Sequence, residues 1–198
     1  MTQTTQKHLP IRDFVSELRK FPESAFNETR DILHFLTATQ VDPDTLAPYV
    51  CWDRQHYTRN LIDKTPLYEL ISICWEVGQA SSVHNHRDQN CWMAVPIGKL
   101  RVQNFRVEQR DSAHGKCKLV PTEHYDMDAT HPGVVRPEEP VHQVLNLPEF
   151  EARATTLHIY SHPYSSCEIY SLDKGVYSDV PLHYSSEYGK LSPEEKLL

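Results

Sequence analysis

The stretch Gly78-Gln-Ala-Ser-Ser-Val-His84-Asn-His86 carries two histidines separated by a single residue. In a strand, residues two apart share a face, so His84 and His86 aim both imidazoles at one place, with Ser82 beside them. Imidazole is the commonest metal ligand and suits iron, zinc, copper and nickel. An isolated His-x-His pair recurs by chance, so its surroundings decide its meaning.

Outward from this pair the chain reads as short strands between turn signals. Leu67–Trp75 is one apolar run, Trp92–Ile97 ends at Gly98, Leu100–Val107 largely alternates, and so does Ala154–Tyr160. Many short strands at close spacing predict a sandwich or barrel, and the 14 prolines suit its loops. Upstream, from about Ile11 to Val50, the pattern is helical. Phe14, Leu18 and Phe21 form one stripe, Ile32, Leu33, Phe35 and Leu36 another, and Pro43 and Pro48 end the region. No linker or repeat divides the 198 residues. The expectation is one domain over 1–198, with a helical part at about 11–50, a β-barrel at about 57–190, and a loose polar tail from Leu191.

Composition narrows the function classes. A formal net charge of -7 argues against a broad surface for nucleic acid or anionic membrane, while leaving room for one small basic pocket. The first residues lack the charged and apolar regions of a signal peptide, and no apolar run is long enough to span a bilayer. The five cysteines are scattered, without a Cys-x-x-Cys pair, which predicts a reduced cytoplasmic chain.

Two further segments carry polar groups that need partners. In Thr156-Leu-His158-Ile-Tyr160, period two puts Thr156, His158 and Tyr160 on one face and Leu157 and Ile159 on the other. The polar face is either solvated or turned into a barrel that holds a metal and water. In Tyr57-Thr-Arg59-Asn-Leu, Arg59 offers a planar fork matched to a carboxylate.

Gly78, the His84–His86 pair and Gly98, followed by Pro140-Val-His142-Gln-Val-Leu-Asn146, resemble the two-motif signature of the cupin superfamily. That resemblance implies a mainly β, cupin-type jelly-roll barrel. Cys91 stands near the position where most cupins place a glutamate ligand. Three neutral imidazoles leave a metal more Lewis acidic than a site with a carboxylate, although three histidines also fit a catalytic zinc.

The Tyr57–Leu61 stretch, Cys74-Trp75, Ser81-Ser82-Val-His84-Asn-His86, Cys91, His142 and Leu157-His-Ile-Tyr-Ser161, in that order, resemble the cysteine dioxygenase family. The resemblance spans roughly residues 31–190. It implies one Fe(II) per chain held by His84, His86 and His142, with L-cysteine and O2 as substrates and cysteine sulfinic acid as product. It gives Arg59 and Tyr57 the substrate carboxylate, and Tyr160, oriented by His158 with Thr156 behind it, the place beside the reacting sulfur. Cys91 and Tyr160 match the pair that forms a thioether crosslink in part of the family. Asn85 stands where an aspartate is common, Thr156 replaces a common serine, and Gln143 follows the third histidine where a basic residue can occur.

Two other readings stay open at this point. One is a dioxygenase for another short thiol acid such as 3-mercaptopropionate, whose enzymes tend to carry glutamine in place of Arg59 and glycine in place of Cys91. The other is a non-redox cupin, a zinc isomerase or a binding module. The chain is expected to act as a monomer, without nucleic acid or membrane. Cys51, Cys74, Cys117 and Cys167 read as ordinary buried thiols, and the remaining histidines, His162 included, as surface or capping residues; for His162, close to the Tyr160 strand, the pocket mouth is the lesser alternative.

Overall fold

A computed structural model describes residues 6–135 and 140–192. Six strands, Val83–His84, Leu100–Asp111, Lys116–Met127, Val141–Leu145, Ser166–Ser171 and Val176–Pro181, close on themselves. Two of the joints in this ring are single antiparallel residue pairs, His142 with His84 and Val176 with Lys116. The second sheet has seven strands in the order Lys190–Leu191, Ser186–Glu187, Thr58–Lys64, Tyr68–Trp75, Ala154–Ser161, Cys91–Ile97 and Gly133–Val135. The expected mainly β jelly roll is the architecture found.

The two β layers share a core. Ile71, Ile73 and Trp75 from the seven-stranded sheet meet Leu100, Val102 and Val144 from the ring. The opposite face of the seven-stranded sheet is covered by the helices Ile11–Leu18, Ser24–Asn27 and Arg30–Ala38. Their Phe14, Leu18, Phe26, Ile32 and Leu36 pack on Tyr68, Leu70, Trp92, Leu157 and Ile159. Phe26 stacks on Tyr68 with ring centroids 5.2 Å apart. Burial on both faces explains why Tyr68–Trp75 and Ala154–Ser161 have no exposed residue.

The alternation in Ala154–Ser161 therefore has an unusual meaning. Leu157 and Ile159 face the helices, whereas Ala154 and Tyr160 face the interior between the layers. The polar side of this strand is not solvated: Thr156 and His158 are at most 3% exposed.

Two local readings change. The helical region contains a strand, Thr39–Val41, which pairs in parallel with Lys7–Leu9. Its two β-branched residues and the following Asp42-Pro43 take the chain out of the helix. The loose tail from Leu191 falls largely outside the described residues. Within them, Leu191 pairs with Ser186, and Ser192 Oγ donates to the Tyr184 carbonyl at 2.6 Å.

Candidate metal centre

His84 ends the two-residue strand Val83–His84, which is wedged between Val141–Leu145 and Ser166–Ser171. His142 lies directly opposite His84 across the antiparallel joint. Opposed side chains in such a pair sit within about 4.5–5.5 Å at Cβ, so the register alone brings the two imidazoles together. The expectation that His86 shares the strand of His84 is corrected: the strand stops at His84. His86 precedes a turn through Arg87 and Asp88, both with positive φ (53° and 64°), which carries the chain away after the histidine has reached the same point.

The ring nitrogens are oriented for a metal. His84 Nδ1–H donates to the Ser82 carbonyl at 2.9 Å and His142 Nδ1–H to the Pro140 carbonyl at 3.1 Å. A carbonyl only accepts, so in both residues Nε2 carries the free lone pair. The Nε2 atoms of His84 and His86 are 3.2 Å apart. His142 Nε2 and His86 Nδ1 are buried with no hydrogen-bond partner among the described residues. One ligand atom from each histidine lies within 4.8 Å of the others. Lone pairs converging this closely repel one another, and a cation between them removes the repulsion. Metal–nitrogen bonds of about 2.0–2.1 Å put neighbouring ligand atoms about 3 Å apart, which the His84–His86 spacing matches. Burial lowers the His84 imidazole to a pKa of about 4 against the opposing backbone bond to Ser82, and burial pushes His86 and His142 well below their ordinary value. All three are therefore neutral near pH 7, as metal ligands must be.

A second polar chain runs from the metal centre into the seven-stranded sheet. The Tyr160 ring meets His86 edge-on, with centroids 5.0 Å apart. The Tyr160 hydroxyl is 3.3 Å from His158 Nδ1, and His158 Nε2 is 2.9 Å from Thr156 Oγ1. Thr156 Oγ1 accepts from Trp75 Nε1–H at 3.0 Å and donates to the Ile73 carbonyl at 3.5 Å. Every donor is satisfied when His158 carries its proton on Nε2, which leaves Nδ1 to accept from Tyr160. Burial lowers the His158 pKa to about 3, so the ring stays neutral through pH 7. Cys91 Sγ is 3.8 Å from the same Nδ1.

Arg59 lines the same cavity, of about 480 Å³, as His84, His158, Tyr160 and Tyr57. Its Nε and Nη2 have no hydrogen-bond partner among the described residues, although the side chain is only 13% exposed. The nearest carboxylate, Glu69, is 3.9 Å away and accepts from the Tyr184 hydroxyl at 2.6 Å instead. A buried guanidinium with idle donors is a site for an anion. Tyr57 stacks on Trp75 at 4.6 Å, which fixes its ring at the cavity wall.

The structure brings together every site residue expected from the sequence, and it adds some. Tyr164 packs against Tyr160 at 5.0 Å and His86 at 6.1 Å. It sits in a loop after His162, whose φ is 67°, and loops carry no periodicity from which to read a facing. Cys167, read as an ordinary buried thiol, is buried but lines the cavity. Glu69 and Tyr184, behind Arg59, had no sequence signal. His162 is turned away to the Pro66 carbonyl, 3.1 Å from its Nδ1, while His56 and His183 line the cavity.

A jelly roll that brings three imidazoles, two from strands and one from the turn that follows, to one point defines a metal-binding cupin. The chain belongs to the cysteine dioxygenase type I family, whose model matches residues 1–173. It is 26% identical to cysteine dioxygenase type 1 of Danio rerio over 197 residues, covering 98% of this chain and 96% of that protein. It is likewise 26% identical to the Homo sapiens cysteine dioxygenase type 1 over 164 residues, covering 82% and 80%. A solved structure from Thermus thermophilus overlaps 59% of this chain and 93% of its own, at 16% identity and a TM-score of 0.45.

Proposed function

We propose that the protein is an Fe(II)-dependent dioxygenase that adds both atoms of O2 to the sulfur of free L-cysteine, giving cysteine sulfinic acid. The observation that carries this reading is a cluster of three converging neutral imidazoles, one of which, His84, lines the same cavity as an arginine with idle donors. Membership of the cysteine dioxygenase type I family supports it.

His84, His86 and His142 would hold the iron, one per chain. Bound iron supplies the change of oxidation state that lets triplet dioxygen react with a thiolate, chemistry that zinc does not offer. Arg59 pairs with the substrate carboxylate, and the Tyr57 hydroxyl closes the same end of the cavity. Fixing the carboxylate against a fixed sulfur site turns an encounter into a positioned reaction, an advantage of up to about 7–11 kcal/mol. Tyr160, aimed by the His158–Thr156–Trp75 chain, presents its hydroxyl to the reacting end. Tyr164 and Trp75 help keep that end dry. Cys91 acts through its contact with the Tyr160–His158 pair.

The protein acts as a cytoplasmic monomer in this reading. Among the described residues no helix is long and apolar enough to cross a membrane, and all five cysteines are free.

Turnover of cysteine by the Fe(II)-loaded protein under isotopically labelled dioxygen tests the proposal. Both oxygens of the sulfinate are expected to carry the label. A single labelled oxygen, or a strong preference for 3-mercaptopropionate over cysteine, would overturn the assignment.

A further inference from the structure

The ligand atoms of His84 and His86 converge, while the side chain of Asn85 between them turns the other way, toward the strand Ser166–Ser171. There it meets Glu168 through backbone and side chain alike. Asn85 N–H donates to the Glu168 carbonyl and Glu168 N–H donates to Asn85 Oδ1, each at 3.2 Å. One Nδ2–H of Asn85 donates to Glu168 Oε2 at 2.8 Å, and the other reaches the Tyr170 oxygen at 3.2 Å. Tyr170 OH donates to Glu168 Oε2 at 2.7 Å.

Glu168 is itself fixed. Arg110 grips it with both arms of its fork, Nη2 to Oε1 at 2.6 Å and Nη1 to Oε2 at 3.1 Å. The Arg110 guanidinium lies 4.1 Å from the Tyr177 ring centroid. Bidentate pairing and ring stacking leave Arg110 little freedom, and the carboxylate it holds has only one orientation open to it. The clamp sits at the end of a two-residue strand. The strand ends at His84, and the chain enters the left-handed residues Arg87 and Asp88 right after His86.

We propose that Asn85 is a positioning residue for the metal centre: clamped by Glu168, which Arg110 and Tyr170 lock in place, it sets the spacing of His84 and His86. This rests on the reading of the three histidines as the iron site. It also gives the asparagine a reason. An aspartate at this position has no N–H to offer Glu168, and would set two acceptor oxygens against each other where a 2.8 Å bond now lies.

The test is anaerobic Fe(II) binding measured by chelator competition. Asn85→Asp is expected to weaken Fe(II) binding by about 10- to 100-fold, the range for residues that orient ligands. The double variant Asn85→Asp, Glu168→Gln restores a donor to the pair and is expected to return within about threefold of the parent. The KM for cysteine, set by Arg59, is expected to stay within about twofold in that double variant. Asn85→Ala removes the side-chain bonds without opposing acceptors and serves if Asn85→Asp does not fold; it is expected to lose at least about tenfold. Unchanged Fe(II) binding in whichever single variant folds, or a double variant no better than Asn85→Asp, would overturn the proposal. Failure of the parent protein to bind Fe(II) would instead overturn the iron reading on which it stands.

Discussion

Tyr160 and Cys91 are direct partners across the antiparallel pair formed by Ala154–Ser161 and Cys91–Ile97. Both are buried, and His158 Nδ1 lies 3.3 Å from the Tyr160 hydroxyl and 3.8 Å from Cys91 Sγ. Burial pushes the Cys91 thiol well above its ordinary pKa, so it is an uncharged S–H at rest. The register places a thiol beside a phenol ring.

Turnover with cysteine and O2 is expected to form a thioether between Cys91 Sγ and the Tyr160 ring. The bond forms with loss of the S–H and one ring hydrogen, O2 accepting the two electrons. Intact-protein mass should fall by two hydrogens, and Cys91→Ser should show no such change. An unchanged parent mass after extended turnover contradicts it.

Loss of one imidazole leaves two ligands and one face of the site open. His142→Ala, which also removes the cross-strand partner of His84, should lose more than about 100-fold in Fe(II) affinity, beyond what indirect contacts cost. Metal analysis after gel filtration checks this, and iron retained at the parent level would count against the assignment.

Arg59→Ala should act on substrate binding. Removing one member of a buried charged pair costs about 2–5 kcal/mol, so kcat/KM for cysteine should fall by at least about 30-fold, chiefly through KM. Arg59→Lys should recover only part of this, because an ammonium cannot reproduce the planar fork. Unchanged saturation kinetics in the alanine variant would remove Arg59 from the substrate site.

A pH effect on stability is expected from Asp63. Burial raises its pKa, but hydrogen bonds from Arg19 (3.0 and 2.5 Å) and Tyr68 (2.5 Å) outweigh that and hold it below the ordinary value. The folded pKa is depressed, so the stabilisation is present above the unfolded value of about 3.9 and is lost as pH falls through the folded pKa. Asp63→Asn should cost about 1–2 kcal/mol at pH 7, discounted for the exposed Arg19, and progressively less below about pH 3.9. Paired thermal melts across this range check it; a cost that is constant with pH would contradict the ionic origin.

The parts legible in the sequence are those set by local periodicity. Period two in Ala154–Ser161 separated Tyr160 and His158 from Leu157 and Ile159, and the fold keeps that division. The His-x-His spacing found two ligands even though His86 lies beyond the strand. What depended on pairing between distant strands was not legible from spacing. His142 opposite His84 and Cys91 opposite Tyr160 are facts of register, and only the family resemblance pointed to them. Side chains delivered by loops or by charge pairing, namely Tyr164, Glu69 and Tyr184, gave no periodic signal. His162, read as a surface or capping residue, does bond a backbone carbonyl, that of Pro66.

The central claim is that three histidines and Arg59 make an iron site for cysteine. Oxygen uptake by metal-free protein reconstituted with Fe(II) or with Zn(II), in the presence of free cysteine, addresses it most directly. The expected result is uptake with Fe(II) alone, one molecule of dioxygen for each cysteine converted to sulfinate. No cysteine-dependent uptake with Fe(II) bound would contradict the claim.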